Sequence, residues 1–213
     1  TGKRLSEVAI ECGVAKDRIA VWVGPGHIQE FVKGHPNCMV IDAYNESLVR
    51  YLADSFRSEL IRFYYGDDII GSEIGAAAKN VMGIAAGMLD GGGYTTLKGP
   101  LMARGAREVA RLIKAMGGKE LSAYGLCHLG DYETTLFSPY SNNRRYGEAF
   151  VKKEPFAKLA EGVATAKALK LLGEKYGVDL PITDAVCAIL YDGKEPMTAF
   201  LSLFSRSARK EFI

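Results

Sequence analysis

The chain has 213 residues, 48% of them hydrophobic, with 27 Lys and Arg against 25 Asp and Glu. That length carries one large domain or two modest ones, with enough apolar content for a sizeable core. The near-neutral balance gives no case for nucleic acid or an anionic membrane as partner. No apolar run approaches the roughly 20 residues of a membrane span, and no signal-peptide pattern opens the chain. Cys12, Cys38, Cys127 and Cys187 lie far apart without metal-ligand spacing. They read as reduced, mostly buried thiols of a cytoplasmic protein, with no metal site.

Taken in chain order, the first segments alternate. "RIAVWV" (18–23) predicts a strand, followed by a Gly-Pro-Gly turn at 24–26 and a short helical stretch, "HIQEFV". "NCMVIDA" (37–43) predicts a second strand, and "NESLVRYLADSF" (45–56) puts Leu48, Val49, Leu52 and Phe56 on one helical face. "LIRFYY" (60–65) predicts a third strand. Strands separated by helical segments indicate a sheet with crossover connections. After Gly66 the strand signals stop, and helices are expected at about 69–90, 96–116, 142–151, 155–176, 181–191 and 196–204. Pro155, Pro181 and Pro196 suit first-turn positions, and Gly117-Gly118 ends a helix. The stretches 90–96 and 128–141 read as irregular. The architecture expected is a partial α/β sheet over 1–66 followed by an all-helical domain over 67–213.

Lys79 sits among small or flexible helix neighbours, Gly75, Ala76, Met82 and Gly83. Either it snorkels to solvent while the small residues pack another helix, or it is desolvated and exchanges protons with a substrate oxygen. Downstream, 128–141 carries Asp131, Glu133, Thr134, Thr135 and Ser138. Ser141, Asn142 and Asn143 then open a helix whose free N–H groups suit an anion, with Arg144 and Arg145 adding charge. His27, His35 and His128 show no ligand spacing and read as surface or satisfied core groups. "GPG" is either a plain turn or a set of amides cupping a ligand at a strand end. No G-x-G-x-x-G occurs in the 213 residues.

Five ordered motifs make the chain resemble the bacterial-type NAD(P)-dependent glycerol-3-phosphate dehydrogenases. They are "GSEIGAAAKN" (71–80), "GLCHLGDYETT" (125–135), "SNNRRYG" (141–147), "EGVATAK" (161–167) and the segment from Val178 to Pro196. The opening "TGKRLSEV" and "VGPG" also look like the family's segment around its "S-G-P-S" loop. The resemblance implies an α/β remnant, the end of a Rossmann-type sheet, followed by an all-α substrate-binding domain of the 6-phosphogluconate dehydrogenase C-terminal-like type. It also implies hydride transfer between NAD or NADP and a small phosphorylated substrate, dihydroxyacetone phosphate or glycerol 3-phosphate. Lys79 would then donate and accept the proton, paired with Asp131. Asn80 and Thr135 would orient substrate oxygens, Ser141, Asn142 and Asn143 would hold the phosphate, Gly24 would line the site, and Glu161 with Asn142 would meet the cofactor. The small residues around Lys79 would let substrate and nicotinamide pack against its helix.

The pattern departs from the family in three places. The nucleotide fingerprint is absent, so about 100 or more upstream residues, a domain's worth, are expected to be missing and cofactor binding to this chain alone is expected to be weak. Asn142 stands where the family has arginine. Gly26, His27 and His128 replace a serine, an aromatic residue and a glycine. The alternatives are a dehydrogenase of another small hydroxy or keto acid, or a noncatalytic binding or assembly module. Long helices with small-residue faces make a homodimer plausible.

Overall fold

A computed structural model describes residues 2–208, 210 and 211. Helix α1 (Leu5–Glu11) opens the chain. The strand and helix patterning did not anticipate it. Its entry is fixed by Glu7, whose Oε2 accepts the backbone N–H of Arg4 at 2.7 Å.

Three strands follow: β1 (Ala20–Val23), β2 (Asn37–Ala43) and β3 (Ile61–Tyr65), in the order β1-β2-β3. The predicted crossover holds for the second pair. Helix α3 (Glu46–Phe56) links β2 to a parallel β3, with Val40 opposite Tyr64, and buries Val49 and Ala53 against Ile41. It does not hold for the first pair. Between β1 and β2 stands only α2 (Ile28–Phe31), and these strands run antiparallel, Val21 opposite Asp42. A four-residue helix is about 6 Å long and cannot carry the chain back along a strand. The turn at Gly24 explains the reversal. With φ +145° and a would-be Cβ 3.0 Å from the Cα of Met39, only glycine lets the chain fold back over β2.

The remainder is helical, apart from short turns. The central α4 (Ile69–Gly91) packs against α5 (Lys98–Ala115), α6 (Asn142–Lys152), α7 (Glu161–Tyr176) and α8 (Pro181–Asp192), and α9 (Pro196–Leu201) packs on α8. Asp68 caps α4, its Oδ1 accepting from Gly71 N at 3.0 Å. Pro181 and Pro196 take first-turn positions. Pro155 does not, since α7 begins at Glu161. Its start is set from outside: Gly162 N donates to Asn143 Oδ1 at 2.9 Å, satisfying one of the orphan amides of the first turn. The stretch 128–141 is more ordered than expected, with a 3-10 turn at Leu129–Asp131 and a π-helical turn at Glu133–Phe137.

The glycines of α4 face protein. A Cβ on Gly87 would lie 1.8 Å from the carbonyl oxygen of Arg144, and one on Gly147 would lie 2.1 Å from that of Ile84. Helices α4 and α6 therefore meet backbone to backbone, in a contact that any side chain would prise apart. Gly83 similarly admits Thr135, and Gly75 admits Cys127 and His128. The idea that these small residues leave room for substrate and nicotinamide is corrected for the glycines: helix packing and the 127–135 segment fill that space.

Two polar joints bind the sheet end to α4. Glu73 accepts from Ser6 N at 2.7 Å and from Arg4 Nη1 at 2.6 Å. Asp42, at the end of β2, accepts from Asp68 N at 2.8 Å and from the Ser72 hydroxyl. Among the described residues no helix is long and apolar enough to cross a membrane.

Candidate active site

Lys79 lies midway along α4, and the 3-10 turn before α6 brings Asp131 against it. Its Nζ donates to Asp131 Oδ2 across 52 positions of sequence. The carboxylate side chain is 2% exposed and the lysine side chain 21%. The anion is thus buried and the ammonium partly exposed. Burial pushes the Asp131 carboxyl above its usual range, opposed by the charge of Lys79 and by hydrogen bonds from Lys79, Thr134 and Thr135. One of the three ammonium protons is taken by Asp131, which leaves others for a partner on the exposed side.

Hydroxyls complete the rear of the pair. Thr134 Oγ1 donates to Asp131 Oδ1 and lies 3.1 Å from the Asp131 carbonyl, while Thr135 Oγ1 stands 3.4 Å from the same carboxylate oxygen. Thr135 is buried and its methyl faces Gly83, so its hydroxyl is turned to the carboxylate. Sequence reading did not assign Thr134 a place in the site. Its spacing from Asp131, three positions along a tight turn, was the available signal.

The start of α6 adjoins this pair through Asn143, whose Cβ lies 3.2 Å from a would-be Cβ on Gly83. Asn143 is buried, with Oδ1 on Gly162 N and Nδ2 3.3 Å from Glu161 Oε2. Glu161 is exposed at the first turn of α7. Asn80 follows Lys79 where the start of α7 packs on α4, its carbonyl oxygen 2.5 Å from a would-be Cβ on Gly162. Ser141 caps α6, its Oγ accepting from Arg144 N at 3.3 Å, and half-buried Asn142 is the first helical residue. The structure therefore gathers Lys79, Asp131, Thr135, Asn143, Glu161 and Asn80 along one seam.

Two expectations fit less well. Arg144 is no free charge for the α6 start, because Nη1 is bound to Asp90 at 2.7 Å and Glu148 at 3.1 Å, and Nε to the carbonyl of Ser138. Arg145 is exposed and stacks over Phe156. Gly24 packs on Met39. Its turn reaches the seam through His27, where Nε2 donates to the Thr134 carbonyl at 2.9 Å.

For a nicotinamide ring the chain offers one suitable flank. Ala76 and Ala77, one turn before Lys79 and Asn80, line a mainly apolar hollow of about 460 Å³ with Thr165 and Ala168 of α7. Thr165 lies one turn beyond Glu161, and Arg4, Trp22 and Glu73 line the same hollow. The 213 residues hold no G-x-G-x-x-G turn to cradle a pyrophosphate. Among the described residues no cluster of three or more His, Cys, Asp or Glu forms a metal site.

The structure thus sets an ammonium backed by a buried carboxylate on a helical domain that follows the end of an α/β sheet. Comparison with known proteins supplies the family. Residues 68–201 match the NAD-dependent glycerol-3-phosphate dehydrogenase C-terminus, and the chain belongs to that family. It is 38% identical over 206 residues to a glycerol-3-phosphate dehydrogenase [NAD(P)+] of Salinibacter ruber, covering 93% of this chain and 60% of that protein. It is 38% identical over 219 residues to the protein of that name from Moorella thermoacetica, covering 99% of this chain and 65% of that one. The crystal structure of glycerol-3-phosphate dehydrogenase from Coxiella burnetii superposes with a TM-score of 0.88 at 29% identity, over 96% of this chain and 65% of that one. The chain thus spans 60–65% of the length of these relatives.

Proposed function

We propose that this chain is the substrate-handling part of an oxidoreductase that interconverts dihydroxyacetone phosphate and glycerol 3-phosphate with NAD or NADP. The Lys79–Asp131 pair is the observation that carries this reading. A nicotinamide cofactor, when bound, supplies the hydride chemistry. The chain's own residues do the rest. As a ketone is reduced, negative charge grows on its oxygen. The Lys79 ammonium, partly exposed, stabilises that charge and delivers the proton. Asp131 holds the ammonium in place, and Thr134 and Thr135 hold Asp131. In the oxidative direction the same nitrogen takes the proton back. Ser141, Asn142 and Asn143 offer the phosphate the positive end of α6. Asn80 orients substrate, Gly24 lines the rim, and Glu161 with Asn142 faces the cofactor. The division between the two parts of the chain falls after Gly66.

The test is a steady-state assay of the complete natural protein with dihydroxyacetone phosphate and NADH or NADPH. Lys79→Ala is expected to lower kcat by about 10²–10⁴-fold, the usual contribution of a positioned general acid. Undiminished turnover in that variant removes Lys79 from the mechanism.

A second reading, another small hydroxy or keto acid as substrate, is favoured by one observation. Asn142 carries no charge and Arg144 is held by Asp90 and Glu148, so neither offers a phosphate an arginine fork. Rates with and without the phosphate on otherwise identical ketones separate the two. The four cysteines are free thiols, two of them buried, which suits work in a reducing cytoplasm.

A further inference from the structure

We propose that His128 is a positioning residue for the Lys79–Asp131 pair, fastening the loop that carries the carboxylate to the helix that carries the ammonium. The inference rests on reading that pair as the proton-transfer site, but its test does not require turnover.

His128 is fully buried and makes two ring contacts. Nδ1 lies 2.8 Å from the Gly75 carbonyl oxygen, which can only accept, so Nδ1 carries the hydrogen. Nε2 is then an acceptor, and the Tyr132 hydroxyl donates to it at 2.6 Å. The Gly75 carbonyl belongs to the turn of α4 just before Lys79, and in a regular helix it accepts the backbone N–H of Lys79 itself. On its other side, the main-chain carbonyl of His128 accepts the N–H of Asp131 at 3.0 Å. One residue therefore touches the backbone turns of both partners. Tyr132, next to Asp131, is also fully buried, its ring edge-on to His128 with centroids 4.8 Å apart. Its hydroxyl lies 3.1 Å from a would-be Cβ on Gly105, which braces the assembly against α5.

Gly75 lets the 127–128 segment approach α4 closely, since a Cβ there would lie 2.8 Å from Cys127 Sγ and 3.1 Å from the Cβ of His128. Burial and the nearby charge of Lys79 lower the His128 pKa to about 4, against a single raising influence from Gly75. The ring is therefore a neutral, fixed-tautomer link at physiological pH.

The experiment is acetylation of the chain with acetic anhydride at one fixed pH, read lysine by lysine by mass spectrometry. Lys98 is the internal reference, a buried ammonium held by Asp90 at 2.9 Å and remote from His128 in sequence. His128→Phe fills the volume but makes neither hydrogen bond. It is expected to raise the Lys79:Lys98 labelling ratio about fivefold, the equivalent of one lost hydrogen bond. Tyr132→Phe keeps both rings and folds more readily; it should raise the ratio less. His128→Asn, whose amide can still reach Gly75, should return the ratio toward wild type. Leu112→Ala, a core truncation in α5, lowers stability without touching the link and should leave the ratio unchanged. An unchanged ratio in folded His128→Phe or in Tyr132→Phe overturns the proposal, as does an equal rise in Leu112→Ala. If the ratio shifts as stated while the complete protein reduces no ketone, the dehydrogenase reading fails and the positioning role stands.

Discussion

Glu108 of α5 is 1% exposed, and its carboxylate accepts from Ile182 N at 2.8 Å, Thr183 N at 2.9 Å and Thr183 Oγ1 at 2.7 Å. It caps the first turn of α8 from another helix. Two influences oppose each other. The three donors and Arg111 favour the anion, while burial disfavours it, and burial prevails: the pKa rises to about 7. The sign follows from linkage. Between the unfolded value of 4.5 and about 7 the folded chain holds a proton that the unfolded chain has released. Stability therefore falls as pH rises through that window, by about 3 kcal/mol in all. His128 acts in the opposite sense. Its pKa drops from 6.5 to about 4, so its neutral ring contributes stability above pH 6.5 that is lost on acidification toward 4. The two nearly cancel between pH 4.5 and 6.5, and removing one exposes the other. Glu108→Gln keeps one acceptor for α8 and cannot titrate. Urea unfolding of wild type and variant, followed by circular dichroism at half-unit steps from pH 4.5 to 7, gives the difference in stability. The variant should start about 1–3 kcal/mol less stable, the cost of an imperfect cap. The gap should close or reverse by pH 7. A gap constant to within about 0.5 kcal/mol, or one that widens with pH, shows that the donors hold Glu108 ionised and refutes the reasoning.

Gly87→Ala should destabilise the chain by about 3 kcal/mol or more, because the new methyl meets the Arg144 carbonyl at 1.8 Å; a thermal midpoint within a degree of wild type would disprove the backbone contact of α4 and α6. Glu73→Ala leaves Arg4 without its buried partner and should cost about 3 kcal/mol. In hydrogen exchange the Ser6 amide, which donates to Glu73, should lose protection in that variant, whereas unaltered exchange would deny the joint between α1 and α4. Calorimetric titration of this chain with NADH or NADPH should show weak binding or none, since its 213 residues hold no G-x-G-x-x-G phosphate turn; micromolar affinity would contradict this.

What the sequence determined alone is what local chemistry decides. The strand at 37–43, the helix of α3 with its Asn45 cap, and the starts of α8 and α9 at Pro181 and Pro196 depend on residues within a turn or two of each other. The motif around Lys79 and Asp131 was legible for the same reason: each half is a short run of residues. What only the tertiary structure decided are relations between distant segments. The antiparallel pairing of β1 follows from Gly24 packing on Met39, and the start of α7 follows from Asn143 rather than from Pro155. Glu73 finds Ser6 across 67 positions, and His128 finds Gly75 across 53. Backbone groups left unpaired by local structure must be satisfied by whatever the fold brings near. Those partners have no local signature, and in this chain they anchor the segments that carry the ammonium and the carboxylate.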